Sequence, residues 1–226
     1  MNAADVFSSA RSLLAVCAHP DDESFGLGAI ISTLVDRGAS VELVTLTRGE
    51  ASTLVGSAVD LADARRVELT AAAAELGIGA VHLFDHPDGH LSAVDIADLA
   101  ADIEPLAAGS DLLLVFDEGG ITGHPDHIAA TATAMAVAER LDLPVVAWTL
   151  DDRVADTLNQ EFNARFVGRR DLDVDLRLPV DRSRQRAAMM CHGSQLDDNP
   201  VPARRIALTG DHEVLRILRH PGGSPR

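Results

Sequence analysis

The chain has no lysine and no tyrosine, only two cysteines and a single tryptophan among 226 residues. No apolar run approaches the roughly 20 residues that a helix needs to cross a bilayer. Without lysine there is no Schiff-base chemistry, and without tyrosine no phenol can donate to an oxyanion. Cys17 and Cys191 stand far apart and form no C-x-x-C, so they read as reduced, core-filling thiols of a reducing compartment. All 19 basic residues are arginine, set against 35 acidic ones for a formal net charge of −16. Such a field repels nucleic-acid backbones and anionic membrane surfaces alike, which argues against either as the main partner. Met1–Asp5 shows no basic segment leading into an apolar one, and with the missing span this gives a cytoplasmic expectation.

What is present is alternation. Short apolar runs, Ser12 to Cys17, Val41 to Thr47, Val81 to Phe84, Asp111 to Phe116 and Val145 to Leu150, alternate with helix-like segments at Gly28 to Arg37, Asp63 to Leu76, Val94 to Leu106 and His127 to Leu141. Continuous apolar strands separated by amphipathic helices predict an α/β fold: one doubly wound domain with a mostly parallel, Rossmann-like sheet in the order 3-2-1-4-5. Gly38, Gly77 and Gly109 each follow a helical pattern where a positive φ often ends a helix. Beyond the core of about 11–150, a helix over Asp151 to Phe162, a strand over Val174 to Leu178, a helix over Arg182 to His192 and a last strand over His212 to Leu218 are expected as C-terminal additions, about 151–220 of the single domain 1–226. Pro200-Val201-Pro202 and the tail from Pro221 read as loop.

Two His/Asp clusters stand at matched places in that pattern. Ala18-His19-Pro20-Asp21-Asp22-Glu23 follows the first strand, and Gly123-His124-Pro125-Asp126-His127 follows the fourth. In an open α/β sheet the ligand crevice lies beyond the carboxyl ends of the strands where the winding reverses, between strands 1 and 4 here, so both clusters face one site. Histidine and carboxylate are ligands for zinc and related divalent ions, and three of them with one open position make a catalytic site. The i, i+3 pairs His19/Asp22 and His124/His127 can each share a face. Spacing does not say which of the four bind metal. A third copy, His86-Pro87-Asp88, shows that the tripeptide also occurs as an ordinary helix-start turn.

These two segments resemble the signature motifs of the PIG-L/LmbE-like family of zinc-dependent N-acetylglucosaminyl deacetylases. The resemblance runs on through Thr47-Arg48-Gly49-Glu50, Arg65-x-x-Glu68-Leu69, Pro87-Asp88-Gly89 and His192-x-Ser194-Gln195, covering Leu13 to Gln195. It implies that His19, Asp22 and His127 hold Zn²⁺, with Fe²⁺ or another divalent transition metal as the substitute, and that Asp21 is the general base. His124 stands beside the reacting carbonyl and leaving group, where it stabilises the oxyanion or passes a proton to the amine. Arg65, Asp88 and His192 are implied as sugar or aglycone contacts. Asp126 is expected to orient His124.

The chain departs from the resemblance at one place: Thr122 stands where some members have a tyrosine that helps the oxyanion. Zinc, His124 and His192, or backbone N–H groups of Glu118 to Thr122, must then serve. The expected substrate is a small N-acyl amino sugar, most often acetylated. The alternatives are a mycothiol-conjugate-type amidase, a deacylase of a glycosylated secondary metabolite, and a sugar-binding module without activity. The helix faces leave a homo-oligomer open.

Overall fold

Residues 3–53, 61–196 and 199–222 are described by the structure, a computed structural model. Alternation along β1 (Ser12–Cys17) sends Leu13, Ala15 and Cys17 into one apolar cluster and Leu14, Val16 and Ala18 into another. A strand buried on both faces must lie inside a sheet covered by helices on either side. The remaining strands are β2 (Ser40–Thr47), β3 (Ala80–His86), β4 (Leu112–Phe116), β5 (Val145–Thr149), β6 (Leu176–Pro179) and β7 (His212–Arg219). Their order is β3-β2-β1-β4-β5-β7-β6, so the expected core order is observed and the additions extend it by two strands. β1 to β5 run parallel, whereas β7 pairs antiparallel with both β5 and β6.

The helices divide between the two faces. They are α1 (Ala3–Ser9), α2 (Asp22–Phe25), α3 (Gly28–Asp36), α4 (Leu61–Leu76), α5 (Ile96–Ala107), the single turn α6 (Gly120–Gly123), α7 (Pro125–Leu141), α8 (Asp152–Phe162), α9 (Ser183–Cys191), α10 (Gly193–Leu196) and α11 (Val201–Thr209). Buried residues of α5 and α7 pack with Leu14 and Val16, while those of α1, α3, α4, α8 and α9 pack with Leu13 and Ala15. None of the described helices is long and apolar enough to cross a membrane.

Two expectations fail locally. Gly38 and Gly77 take φ values of 88° and 78°, but α5 ends at Ala108 in right-handed conformation, so Gly109 needs no positive φ. Pro200-Val201-Pro202 does not form a loop: Val201 opens α11, and Pro202 lies in its first turn. Proline fits there because the N–H it lacks would have no partner inside the helix. Of the tail, 223–226 lies outside the described residues.

One buried charge cluster ties the additions to the core. Glu213 on β7 is fully buried; its Oε1 accepts from Arg182 at 2.5 Å and Arg205 at 3.0 Å, and its Oε2 accepts from Trp148 Nε1 at 2.9 Å. Removing one member of such a group leaves uncompensated charge in the interior. Glu213→Ala should therefore lower stability by about 3–5 kcal/mol, read as a drop in the urea midpoint followed by circular dichroism; an unchanged midpoint would mean that water reaches Arg182 and Arg205.

Candidate active site

The first cluster leaves β1 in a tight turn. Backbone N–H groups of Ala18 and His19 donate to Asp22 Oδ2 at 3.0 and 2.9 Å, which fixes the carboxylate that opens α2. Asp21 is held at φ 146°, a conformation side-chain-bearing residues rarely adopt, and its N–H donates to Glu23 Oε2 at 2.9 Å. The second cluster leaves β4 through α6 and enters α7 with Pro125 at its start. His124 caps that helix, its Nδ1 accepting the Asp126 N–H at 3.2 Å, and His127 sits in the first turn.

Because β1 and β4 are paired neighbours, the two turns meet. His19 Nδ1 lies 3.2 Å from His127 Nε2, which lies 3.1 Å from Asp22 Oδ1; Asp22 Oδ2 is 3.8 Å from His19 Nδ1. Three ligands held tetrahedrally at about 2.0–2.1 Å from an ion would stand about 3.3–3.4 Å apart. The outward ring atoms support the same conclusion. His19 Nε2 faces Asp88 Oδ1 at 3.1 Å and Asp126 Oδ2 at 3.3 Å, and His127 Nδ1 faces the Gly120 carbonyl at 3.2 Å. These oxygens only accept, so the outward nitrogens carry the protons and the inward ones present lone pairs to a common point beside Asp22. The residues fit a divalent cation.

Without an ion, the same carboxylates make the site draw positive charge onto its histidines. Burial opposes charge on His19, but hydrogen bonds to Asp126 and Asp88, with Asp22 and Asp21 near, outweigh it and push the ring up to about 10. Burial would raise Asp22, yet the His127 ring beside it holds the carboxyl well below its ordinary value. Asp21 is lifted by burial to about 6, with Arg65 pulling the other way and Asp22 adding to the rise. His124 is lowered by burial and then by the neighbouring His127 and His19 rings. A neutral His124 whose Nδ1 accepts a backbone N–H carries its proton on Nε2.

The remaining expected residues divide. Arg65 is buried, not a solvated helix charge: it donates to the carbonyls of Gly49 (2.8 Å) and Pro20 (2.6 Å), stands 3.2 Å from Asp21 Oδ2, and leaves Nε unpartnered beside the cleft. Asp88 accepts the Ala51 N–H at 2.8 Å and backs His19, while also lining the cleft. Asp126 departs from expectation. Its carboxylate turns to His19 and to the N–H groups of Gly89 (2.7 Å) and Leu91 (3.0 Å), so it orients His19, and only its backbone reaches His124. His192 departs further: it is fully buried and absent from the cleft lining, because its Nε2 is drawn 2.6 Å from Glu23 Oε1 behind the Asp21 turn. Thr122 is exposed on the cleft. The loop before it offers little to an oxyanion, since Gly119 and Gly120 N–H groups both turn inward to Asp117.

Several residues of the site received no role from the sequence. Glu23, fully buried, links Asp21, Ser24 and His192. The weaker family segments interlock: Glu50 accepts the Asp88 N–H, Glu68 accepts Ser194 twice, and Gln195 accepts the Ser52 hydroxyl. Phe116, Trp148 and Phe166 line the same cleft, which holds about 450 Å³, although in the sequence they look like core.

The model of the PIG-L family, described as GlcNAc-PI de-N-acetylase, matches residues 14–138. The chain belongs to that family. Among curated PIG-L relatives, 1D-myo-inositol 2-acetamido-2-deoxy-alpha-D-glucopyranoside deacetylase of Mycobacterium sp. (strain KMS) is 35% identical over 170 residues, 62% of this chain and 55% of the relative. The aligned stretch thus spans about half the length of that relative. N,N'-diacetylchitobiose deacetylase from Pyrococcus horikoshii superposes with a TM-score of 0.72 at 20% identity, covering 96% of this chain and 86% of its own. GalB, the 4-carboxy-2-hydroxymuconate hydratase of Pseudomonas putida KT2440, superposes with a TM-score of 0.63 at 20% identity over 96% of this chain and 99% of its own. Likenesses at this identity establish the fold; one architecture carrying deacetylation and hydration leaves the reaction to the residues of the site.

Proposed function

We propose that this PIG-L protein is a metal-dependent hydrolase that removes an N-acyl group from an N-acetylglucosamine-type sugar or sugar conjugate. The observation that carries this reading is the convergence of His19 Nδ1, His127 Nε2 and Asp22 Oδ1 on one point while their outward nitrogens are held by oxygens. His19, Asp22 and His127 would hold zinc, or iron in its place. Bound there, the ion would polarise the amide carbonyl and lower the pKa of a water molecule towards about 7.

The chain's own residues supply the rest. Asp21 lines the cleft with Arg65 on its Oδ2, and a carboxylate lifted to about 6 is matched to taking a proton from water near neutrality. His124 offers Nε2–H as a hydrogen bond to the oxygen that gains charge as the carbonyl is attacked, and the proton that Asp21 takes from water is then available to the departing amine. The relatives' names, which specify a 2-acetamido-2-deoxy sugar, support the amino-sugar class.

Purified protein should contain about one divalent transition ion per chain and release amine from N-acetylglucosamine or its inositol conjugate. A metal-free protein that gains no activity on adding zinc or iron would overturn the reading, and metal without amine from any N-acyl sugar would leave a binding module. The carboxylate behind His19 gives a finer test. Asp126→Asn should weaken metal binding about 10- to 100-fold, measured by competition with a chromophoric chelator; unchanged affinity would separate Asp126 from the ion.

A further inference from the structure

The cleft has two unlike flanks. Along His19 it is polar: Asp88, the Ala51–Thr53 segment and Gln195, with Ser52 Oγ donating to Gln195 at 2.9 Å. Along His127 it is mostly apolar, with the Arg205 guanidinium beside Trp148 as its charged member. The Phe116 ring meets the His127 ring at a centroid distance of 4.8 Å, Trp148 lies 4.9 Å from Phe116, and Ile121, Phe166, Val201 and Pro202 add further apolar surface to the cleft. We propose that this apolar wall is an acyl subsite, so that the protein takes N-acyl groups longer than acetyl. The proposal rests on the deacylase reading above.

The two substituents of a trans amide leave its C–N bond on opposite sides. Sugar hydroxyls need hydrogen-bonding partners, and the flank along His19 has them. The acyl carbon's substituent is then directed along His127, where a methyl group would cover little of the wall. The wall is also fixed in advance. A Cβ at Gly26 would stand 2.5 Å from the Phe116 ring and 3.0 Å from Trp148, so glycine is what lets these rings approach. Trp148 is tied to Glu213 at 2.9 Å under the Arg205 guanidinium, 5.0 Å from its ring. Asn159 holds Phe166 from both sides, donating to its carbonyl at 2.9 Å and accepting its N–H at 2.6 Å. A preformed apolar wall orders little on binding.

N-acetyl-, N-butanoyl- and N-hexanoylglucosamine all release the same amine, so one assay compares them. With about 0.8 kcal/mol per buried methylene, kcat/KM should rise about three- to fourfold for each of the first added methylenes. Val201→Phe, which adds bulk to the apolar lining of the cleft, should reduce the hexanoyl-to-acetyl ratio. Trp148 is the only tryptophan, so its emission reports on this wall alone, and hexanamide should shift it where acetamide does not. A flat or falling series with acetyl hydrolysed would overturn the acyl subsite and leave the deacylase intact. Acceleration by an octyl aglycone on N-acetylglucosamine, with no gain from acyl length, would overturn it in favour of the aglycone. No amine from any substrate would instead remove the deacylase reading on which it stands.

Discussion

Replacing His127 by alanine should empty the metal site and reduce amine release by about 10³-fold or more, since metal polarisation supplies several kcal/mol and each 1.4 kcal/mol is tenfold. Another grouping among the described residues, His19 with His124 and Asp126, could also hold an ion, so the case for His127 is geometric. His127 supplies one of three inward donors, 3.2 Å from His19 Nδ1 and 3.1 Å from Asp22 Oδ1, and its orientation is set by the Gly120 carbonyl. His124 stands close, with ring centroids 4.8 Å apart, but its Nδ1 is spent on the Asp126 N–H and it cannot turn inward without uncapping α7. Metal content and turnover should therefore fall together in His127→Ala, whereas His124→Ala should keep its ion and lose about 10²- to 10⁴-fold in rate. If His127→Ala binds metal as tightly as the parent chain, the ion lies elsewhere. If His124→Ala loses its metal, the ligand set has been misassigned.

The distinction between the two histidines was not legible in their spacing, because both sit at i, i+3 positions around one helix start. Only the conversion of His124 into a cap, with its ring nitrogen facing backbone, separates them in space. The parallel core was legible, because a strand buried on both faces must be a near-continuous apolar run, and β1, β4 and β5 are. The reversal of β7 was not, since its direction depends on pairing with β5, far off in sequence. His192 shows another limit. Motif order places it near the site, but burial against Glu23 decides that it supports the Asp21 turn from behind. Phe116 and Trp148 mark the same limit from the apolar side: a strand-end aromatic that borders a cleft has the same sequence signature as one that fills a core.

The hydratase of similar fold sharpens what must be tested, because a shared architecture does not decide the reaction. Asp21→Asn isolates the base. Asparagine keeps the size of the side chain and, unlike bulkier residues, tolerates positive φ, so the turn at φ 146° and the Glu23 contact to its N–H should persist. The inward ligands are untouched, and metal content should match the parent chain. What disappears is a group that can take a proton, together with the charge that Arg65 engages at 3.2 Å. The expected result is a fall in kcat of about 10²- to 10⁴-fold with little change in KM, because the proposed base would act only as the amide is attacked. A variant that keeps its turnover would exclude Asp21 as the base. A variant that loses turnover and metal together would make Asp21 a support of the ligand turn, acting through Asp22 beside it.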